Sequence, residues 1–113
     1  MSMNVYVFPF EPTAGSTVSI SPTASSAVKT LLNNIKTPQP QGRDRAIRVF
    51  NSGTLTAFVE FGTATSVVAT TSNSMPVPAG AVEVFSGVSV SHIACLATGT
   101  GSGAVYFTAG EGT

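Results

Sequence analysis

A chain of 113 residues that is 42% hydrophobic and only 9% charged, with five basic residues against five acidic, has the size of one ordinary domain. Intrinsic disorder is excluded, because disordered chains are poor in apolar residues and rich in charge. The zero net charge removes any general pull toward nucleic acid or anionic membranes. A single cysteine, Cys95, leaves no intramolecular disulfide and no cysteine-based zinc site. The first ten residues lack the basic and long apolar regions of a secretory signal, and no run approaches the ~18 apolar residues of a membrane span. Synthesis and first folding in a cytoplasm are therefore expected. The 29 Ser and Thr residues, with 11 Gly and 7 Pro, suit short strands joined by tight turns.

In chain order, Asn4 to Phe8 and Ser16 to Ser21 read as the first two strands. The next stretch fits two patterns. Val28, Leu31, Leu32 and Ile35 make a helical stripe with Ser25 or Ser26 as N-cap and Pro38 as stop, so 25–36 fits a helix. Ala27 to Leu32 also fits a strand, which its strand-like surroundings favour. Residues 33–45, with Pro38, Pro40 and Gly42, read as an irregular basic surface loop. Ala46 to Phe50 and Leu55 to Gly62 flank Asn51-Ser52-Gly53-Thr54, a pattern that predicts a hairpin. Keeping its apolar faces aligned pairs Ile47 with Val59 and Arg48 with Phe58, setting Arg48 near Glu60. Strands are further predicted at Ser66 to Thr70, Ala81 to Phe85, Ser91 to Ala97 and Ala104 to Thr108, with Ser72 to Gly80 and Gly99 to Gly103 as separators. A strand every ~8–12 residues points to an all-β chain: a single antiparallel β-sandwich over 1–113, jelly-roll-like, with about eight strands.

All five basic residues, Lys29, Lys36, Arg43, Arg45 and Arg48, fall between positions 29 and 48. With Asp44, that segment carries a net charge of +4, and the remainder, with Glu11, Glu60, Glu83 and Glu111, carries −4. The segment reads either as a solvated loop or as a surface that docks on acidic protein. Basic residues without interleaved aromatics make a thin nucleic-acid reader.

Strand alternation sorts the faces. If faces bearing charge point outward, Arg48, Phe50, Phe58, Glu60, Glu83, Phe85, His92, Leu96 and Tyr106 form the outer set. Aromatics and Arg are enriched at protein contacts, so Arg43, Arg45, Arg48, Phe50, Phe58, Glu60, Phe85 and Tyr106 are the candidate interface residues. The alternative is that loops cover these faces and the same residues are a second layer of core.

Chemical signatures are weak. His92 adjoins Ser91, but neighbours on a strand point to opposite faces. Glu60 and Glu83 could in principle share a face as the two carboxylates that glycoside hydrolysis needs, and solvated strand glutamates are far commoner. The ligands for a metal are too few, no cofactor is expected, and the Gly99 to Gly103 run lacks the Lys-Ser/Thr of a phosphate loop. Cys95 alternates with Ile93 and Ala97 and reads as a buried thiol. No enzymatic activity is expected.

Three runs carry a resemblance: Arg45 to Gly62 (RAIRVFNSGTLTAFVEFG), Met75 to Phe85 (MPVPAGAVEVF) and Gly103 to Gly112 (GAVYFTAGEG). Together they resemble the small β-rich head decoration, or cement, proteins of tailed bacteriophages. The resemblance implies a virion protein on the capsid surface, made in the host bacterial cytoplasm. It implies a homodimer or homotrimer that binds the major capsid protein and stiffens the shell. It carries no residue-level role. A carbohydrate-binding or host-adhesion module using the same aromatics is the second expectation, weakened by the absence of Trp.

Overall fold

The structure, a computed structural model, describes residues 10–31, 45–86 and 90–111. It is an antiparallel two-sheet sandwich of nine strands, and no helix occurs among the described residues. The strands are β1 (Glu11–Pro12), β2 (Val18–Ile20), β3 (Ala27–Thr30), β4 (Arg45–Asn51), β5 (Ala57–Gly62), β6 (Met75–Val77), β7 (Val82–Ser86), β8 (His92–Ala97) and β9 (Val105–Glu111). One sheet runs β2-β9-β4-β7, with β1 extending the β2 side of β9; the other runs β3-β8-β5-β6. All ladders are antiparallel.

The connectivity is that of a jelly roll. The first half of the chain, β2 to β5, pairs with the second half in reverse order: β2 with β9, β3 with β8, β4 with β7, β5 with β6. This long folded-back ribbon is then wrapped so that β4 also meets β9 and β5 meets β8. Eight strands in two such sheets define the architecture.

Wrapping decides where the hairpin expectation fails. Strands β4 and β5 lie in different sheets, so Ile47 does not pair with Val59, nor Arg48 with Phe58. Instead Arg48 sits opposite Thr108 and Val84, and Phe58 opposite Leu96 and Pro76. Residues 52–56 form an arch from one sheet to the other. Its anchor is Asn51, fully buried and in phase with Ile47 and Val49 on the inner face. The Asn51 amide donates to the carbonyls of Leu55 (2.8 Å) and Val77 (2.9 Å), and its Oδ1 accepts from Gly53 N–H (2.9 Å). The Gly99 to Gly103 connection packs on this arch. Thr54 N–H donates to the Ser102 carbonyl and Ser102 N–H to Thr54 Oγ1. A Cβ at Gly103, whose φ is +91°, would lie 2.6 Å from the Ser52 carbonyl. That glycine is required by the close approach, and the run is a turn.

The segment 27–30 is strand β3, the reading its surroundings favour, and not the helical alternative. Other expectations are corrected in smaller ways. Ser66 to Thr70 is not a strand but part of the β5–β6 connection. Met75–Val77, read as a separator because of Pro76 and Pro78, is strand β6; proline is tolerated there because β6 is an edge. Asn4 to Phe8 and the loop at 33–44 lie outside the described residues.

The core lies between the sheets: Ile20, Ile47, Val49, Val105, Phe107 and Ala109 from one, with Ala57, Val59, Val77, Ile93 and Cys95 from the other. Leu31, just past β3, closes one side. Cys95 is buried with the rest, and burial pushes its thiol from the ordinary 9.0 up to about 12. Below pH 9 both folded and unfolded chains keep the proton. Between pH 9 and 12 only the unfolded chain loses it, so this group's contribution is full below pH 9. It is lost as pH rises, at up to about 1.4 kcal/mol per pH unit. Urea midpoints measured from pH 8 to 11 should fall less steeply in Cys95→Ala than in the wild type. An aromatic disulfide reagent should leave the native thiol unmodified.

Candidate protein-interaction surface

A sandwich has two outer faces, and here they differ. On the β3-β8-β5-β6 sheet, alternation points Phe58, Glu60, Ala94 and Leu96 outward, and the β5–β6 connection folds back over them. Ala69, Ala94 and Leu96 are buried there, with Phe58 and Val67 packed against them. The roof is tied down by Ala69 N–H to Ser26 Oγ (3.0 Å), Thr70 N–H to Ser74 Oγ (2.9 Å), and Ser74 Oγ–H to Glu60 Oε2 (3.3 Å). Phe58 and Glu60 therefore do point outward, but into a second, smaller core. Glu60 serves as an anchor of the roof.

On the β2-β9-β4-β7 sheet, one end of the outer face is covered. A Cβ on Gly110, which pairs with Ala46, would collide with the Glu11 carbonyl and sit 2.7 Å from the Phe10 ring. Phe10 thus lies over that end, and Ala46 is buried. Among the described residues nothing covers the other end. Across the strands, Tyr106, Phe50 and Val82 form one row in register, and Thr108, Arg48 and Val84 the next. The Phe50 and Tyr106 rings stack with centroids 6.2 Å apart and planes 16° apart, a favourable offset geometry. Tyr106 is 40% exposed, Val82 44% and Val84 40%. Arg48 is exposed and has no carboxylate partner among the described residues. Thr17 and Thr108 join hydroxyls at the margin (2.8 Å).

Of the residues named from sequence, the structure brings together Arg48, Phe50 and Tyr106. Arg45 heads β4, in register with Glu111, and Arg43 lies outside the described residues. The outward placement of Phe85 and Glu83 is corrected. Phe85 pairs with Ile47 and Glu83 with Val49, so both take the inner face. Phe85 packs against the core, its ring edge-on to Phe61 at 5.3 Å. Charge is a poor guide on this strand because β7 is an edge: Glu83 points inward yet stays exposed at the open margin. Val82 and Val84, missed by that rule, take the outer face instead. The usable signal was the phase of Phe85, which matches the core.

Two further expectations change. Ser91 and His92 do meet, Ser91 Oγ lying 2.8 Å from His92 Nδ1, because Ser91 precedes the strand and escapes its alternation. Among the described residues no carboxylate bonds His92. Glu60 and Glu83 belong to different sheets and do not face one another across a cleft. A notch of about 10 Å³ beside the arch, lined by Pro22, Leu55, Ala97 and the glycine turn, has room for one water. No protein-family model, no curated protein and no solved structure matches this chain.

Proposed function

We propose that the protein is a non-enzymatic virion component that binds the outside of a phage capsid shell and bridges its subunits through the bare face of the β2-β9-β4-β7 sheet. The observation that carries this reading is the contrast between the two outer faces. One is roofed by its own chain, while the other leaves a stacked ring pair, two valines and an arginine with no carboxylate partner among the described residues in the open. Contiguous exposed apolar surface on a small domain marks an interaction site, and rings with Arg are what protein contacts favour. A charge content of 9%, against ~25% in ordinary soluble domains, fits a molecule that works while covered by protein. The resemblance of 45–62, 75–85 and 103–112 to phage decoration proteins supplies the partner: the major capsid protein, with further copies of this chain.

Mechanistically, each copy buries its ring pair against the shell while Arg48 sets register against acidic groups. A specific contact needs about 1,000 Å² in total. Copies repeated over a symmetric shell gain by avidity, so subunit separation under internal pressure must break many contacts at once.

A second reading is favoured by the ring pair itself. Two aromatic planes within 16° on an open sheet resemble a sugar-stacking platform, and jelly rolls serve both capsid and lectin roles. Pelleting purified protein with empty shells, beside a glycan array, separates the two. Saturable shell binding without glycan binding is expected. Glycan binding with no shell association would replace the proposal by the adhesion module.

A further inference from the structure

Sheet edges expose unpaired N–H and C=O groups, and stable monomers blunt them. Three edges of this sandwich are blunted. Strand β6 is three residues long, contains Pro76 and is followed at once by Pro78. Strand β3 carries Lys29, whose Nζ reaches across to the Ser19 carbonyl (2.7 Å) and ties that side to β2. The β1/β2 edge is broken into pieces of two and three residues, with Pro12 in the first.

Strand β7 has neither the shortness nor the proline or lysine of the others, and its one charge, Glu83, stays in solvent at the margin and guards only against registers that oppose two copies of it. Its five residues, Val82–Ser86, include no proline and no lysine, and among the described residues it pairs only with β4. The phase of its free groups follows from the ladder. Asn51 N–H donates to the Ala81 carbonyl (3.0 Å). Antiparallel bonds recur every second residue, so Glu83 and Phe85 bond to β4. The amides and carbonyls of Val82, Val84 and Ser86 point away from the sheet. Ser52 N–H donating to the Ala104 carbonyl on the other side of β4 (2.9 Å) fits the same phase.

We infer that two copies of this chain join edge to edge through β7, antiparallel, about a twofold axis at Val84. In that register Val84 pairs with Val84 of the second copy and Val82 with Ser86. Each pair exchanges both bonds, about six in all. Glu83 then faces Phe85, which keeps the two Glu83 charges from lying directly opposite. A register centred on Glu83 would oppose them and would pair Val82 only with Val84, about four bonds instead of six. A twofold perpendicular to the sheet puts both bare outer faces on the same side. The dimer therefore presents two Phe50–Tyr106 pairs on one continuous surface, with the exposed valines along its seam. The inference goes beyond the shell-binding reading and does not depend on it.

The experiment is sedimentation equilibrium of the full chain, wild type beside Val84→Pro. The substitution removes an amide that points away from β4, where proline is tolerated. A wild-type dimer and a Val84→Pro monomer with unchanged circular dichroism are expected. A wild type that stays monomeric at all concentrations, or a folded Val84→Pro that still dimerises, overturns the inference. If Val84→Pro fails to fold, cysteine pairing decides. Opposed residues of such a pair lie about 5.5 Å apart between Cα atoms, within disulfide range. Cys95 is buried and does not compete. Oxidised Val84→Cys should run as a covalent dimer and Val82→Cys should not, since its mates lie about four residue steps apart. Equal cross-linking at both positions, or at neither, contradicts the register. Shell pelleting of the wild type keeps the questions separate: a wild type that is monomeric and still pellets refutes the dimer alone, and a wild-type dimer that does not pellet refutes shell binding alone.

Discussion

Replacing Asn51 with alanine is expected to cost about 3 kcal/mol of stability. The residue is fully buried, and its amide makes three hydrogen bonds that tie β4 to the arch and, through Val77, to the opposite sheet. Removing it strands the Val77 carbonyl in the core and leaves the Leu55 carbonyl and Gly53 N–H to find water. Each unmet buried group costs roughly 1–3 kcal/mol, and partial hydration of the two arch groups keeps the total near the low end. For a domain of this size that is a fall in Tm of about 10–20 °C. It should appear as a lower urea midpoint with an unchanged slope. Asn51→Asp should be worse at neutral pH, because it loses both donors and buries a charge. It should recover part of the difference as the carboxyl is protonated in acid. An Asn51→Ala protein within 1 kcal/mol of wild type (about 1.4 kcal/mol being tenfold in the folding constant) would show that the arch is held by its backbone alone.

Replacing Phe50 and Tyr106 together with serine is expected to lower affinity for the shell by about a hundredfold or more. Central aromatic anchors contribute about 2 kcal/mol or more each when truncated, and each 1.4 kcal/mol is about tenfold in affinity. The folded domain should survive: Tyr106 is 40% exposed and Phe50 half-buried, so the loss is mainly the ring–ring contact of roughly 0.5–1.5 kcal/mol and some covered area. Binding by titration against purified shells, with Tm as the control, measures both. Phe58→Ser makes the contrasting control. Phe58 lies under the roof of the other sheet, so its loss should lower Tm while leaving shell affinity of the folded protein unchanged.

The strands were largely legible because alternation of β-branched and aromatic residues is a local property. The runs at 46–50, 55–62, 81–85, 91–97 and 104–108 each fall on a strand of the structure, to within one or two residues at the start. Which strands pair is not local. Asn51-Ser-Gly-Thr has the chemistry of a hairpin turn and of an arch alike, and the choice is made by Asn51 turning inward to the carbonyl of Val77, 26 positions away. The outer faces suffered from the same limit. Outwardness by charge worked for Arg48 and its neighbours on the central strand β4. It failed on β7, where an edge lets Glu83 point inward and still reach water. Nothing in the composition of 63–74 announces a roof, since Val67 and Ala69 are too few to mark one. Thus Phe50, Tyr106 and Phe58 are read on the outer faces, where the structure has them, Phe85 is read on the wrong face, and which outer face is covered is not legible from alternation.

The central claim is that the bare end of the β2-β9-β4-β7 sheet is the surface hidden in assembly. Hydroxyl-radical footprinting of the protein free and bound to shells tests it most directly. Tyr106, Phe50, Val82 and Val84 should lose reactivity on binding, while Val68 on the roofed side, 59% exposed, stays as reactive as in the free protein. Protection of Val68 with Tyr106 and Phe50 unchanged would contradict the account.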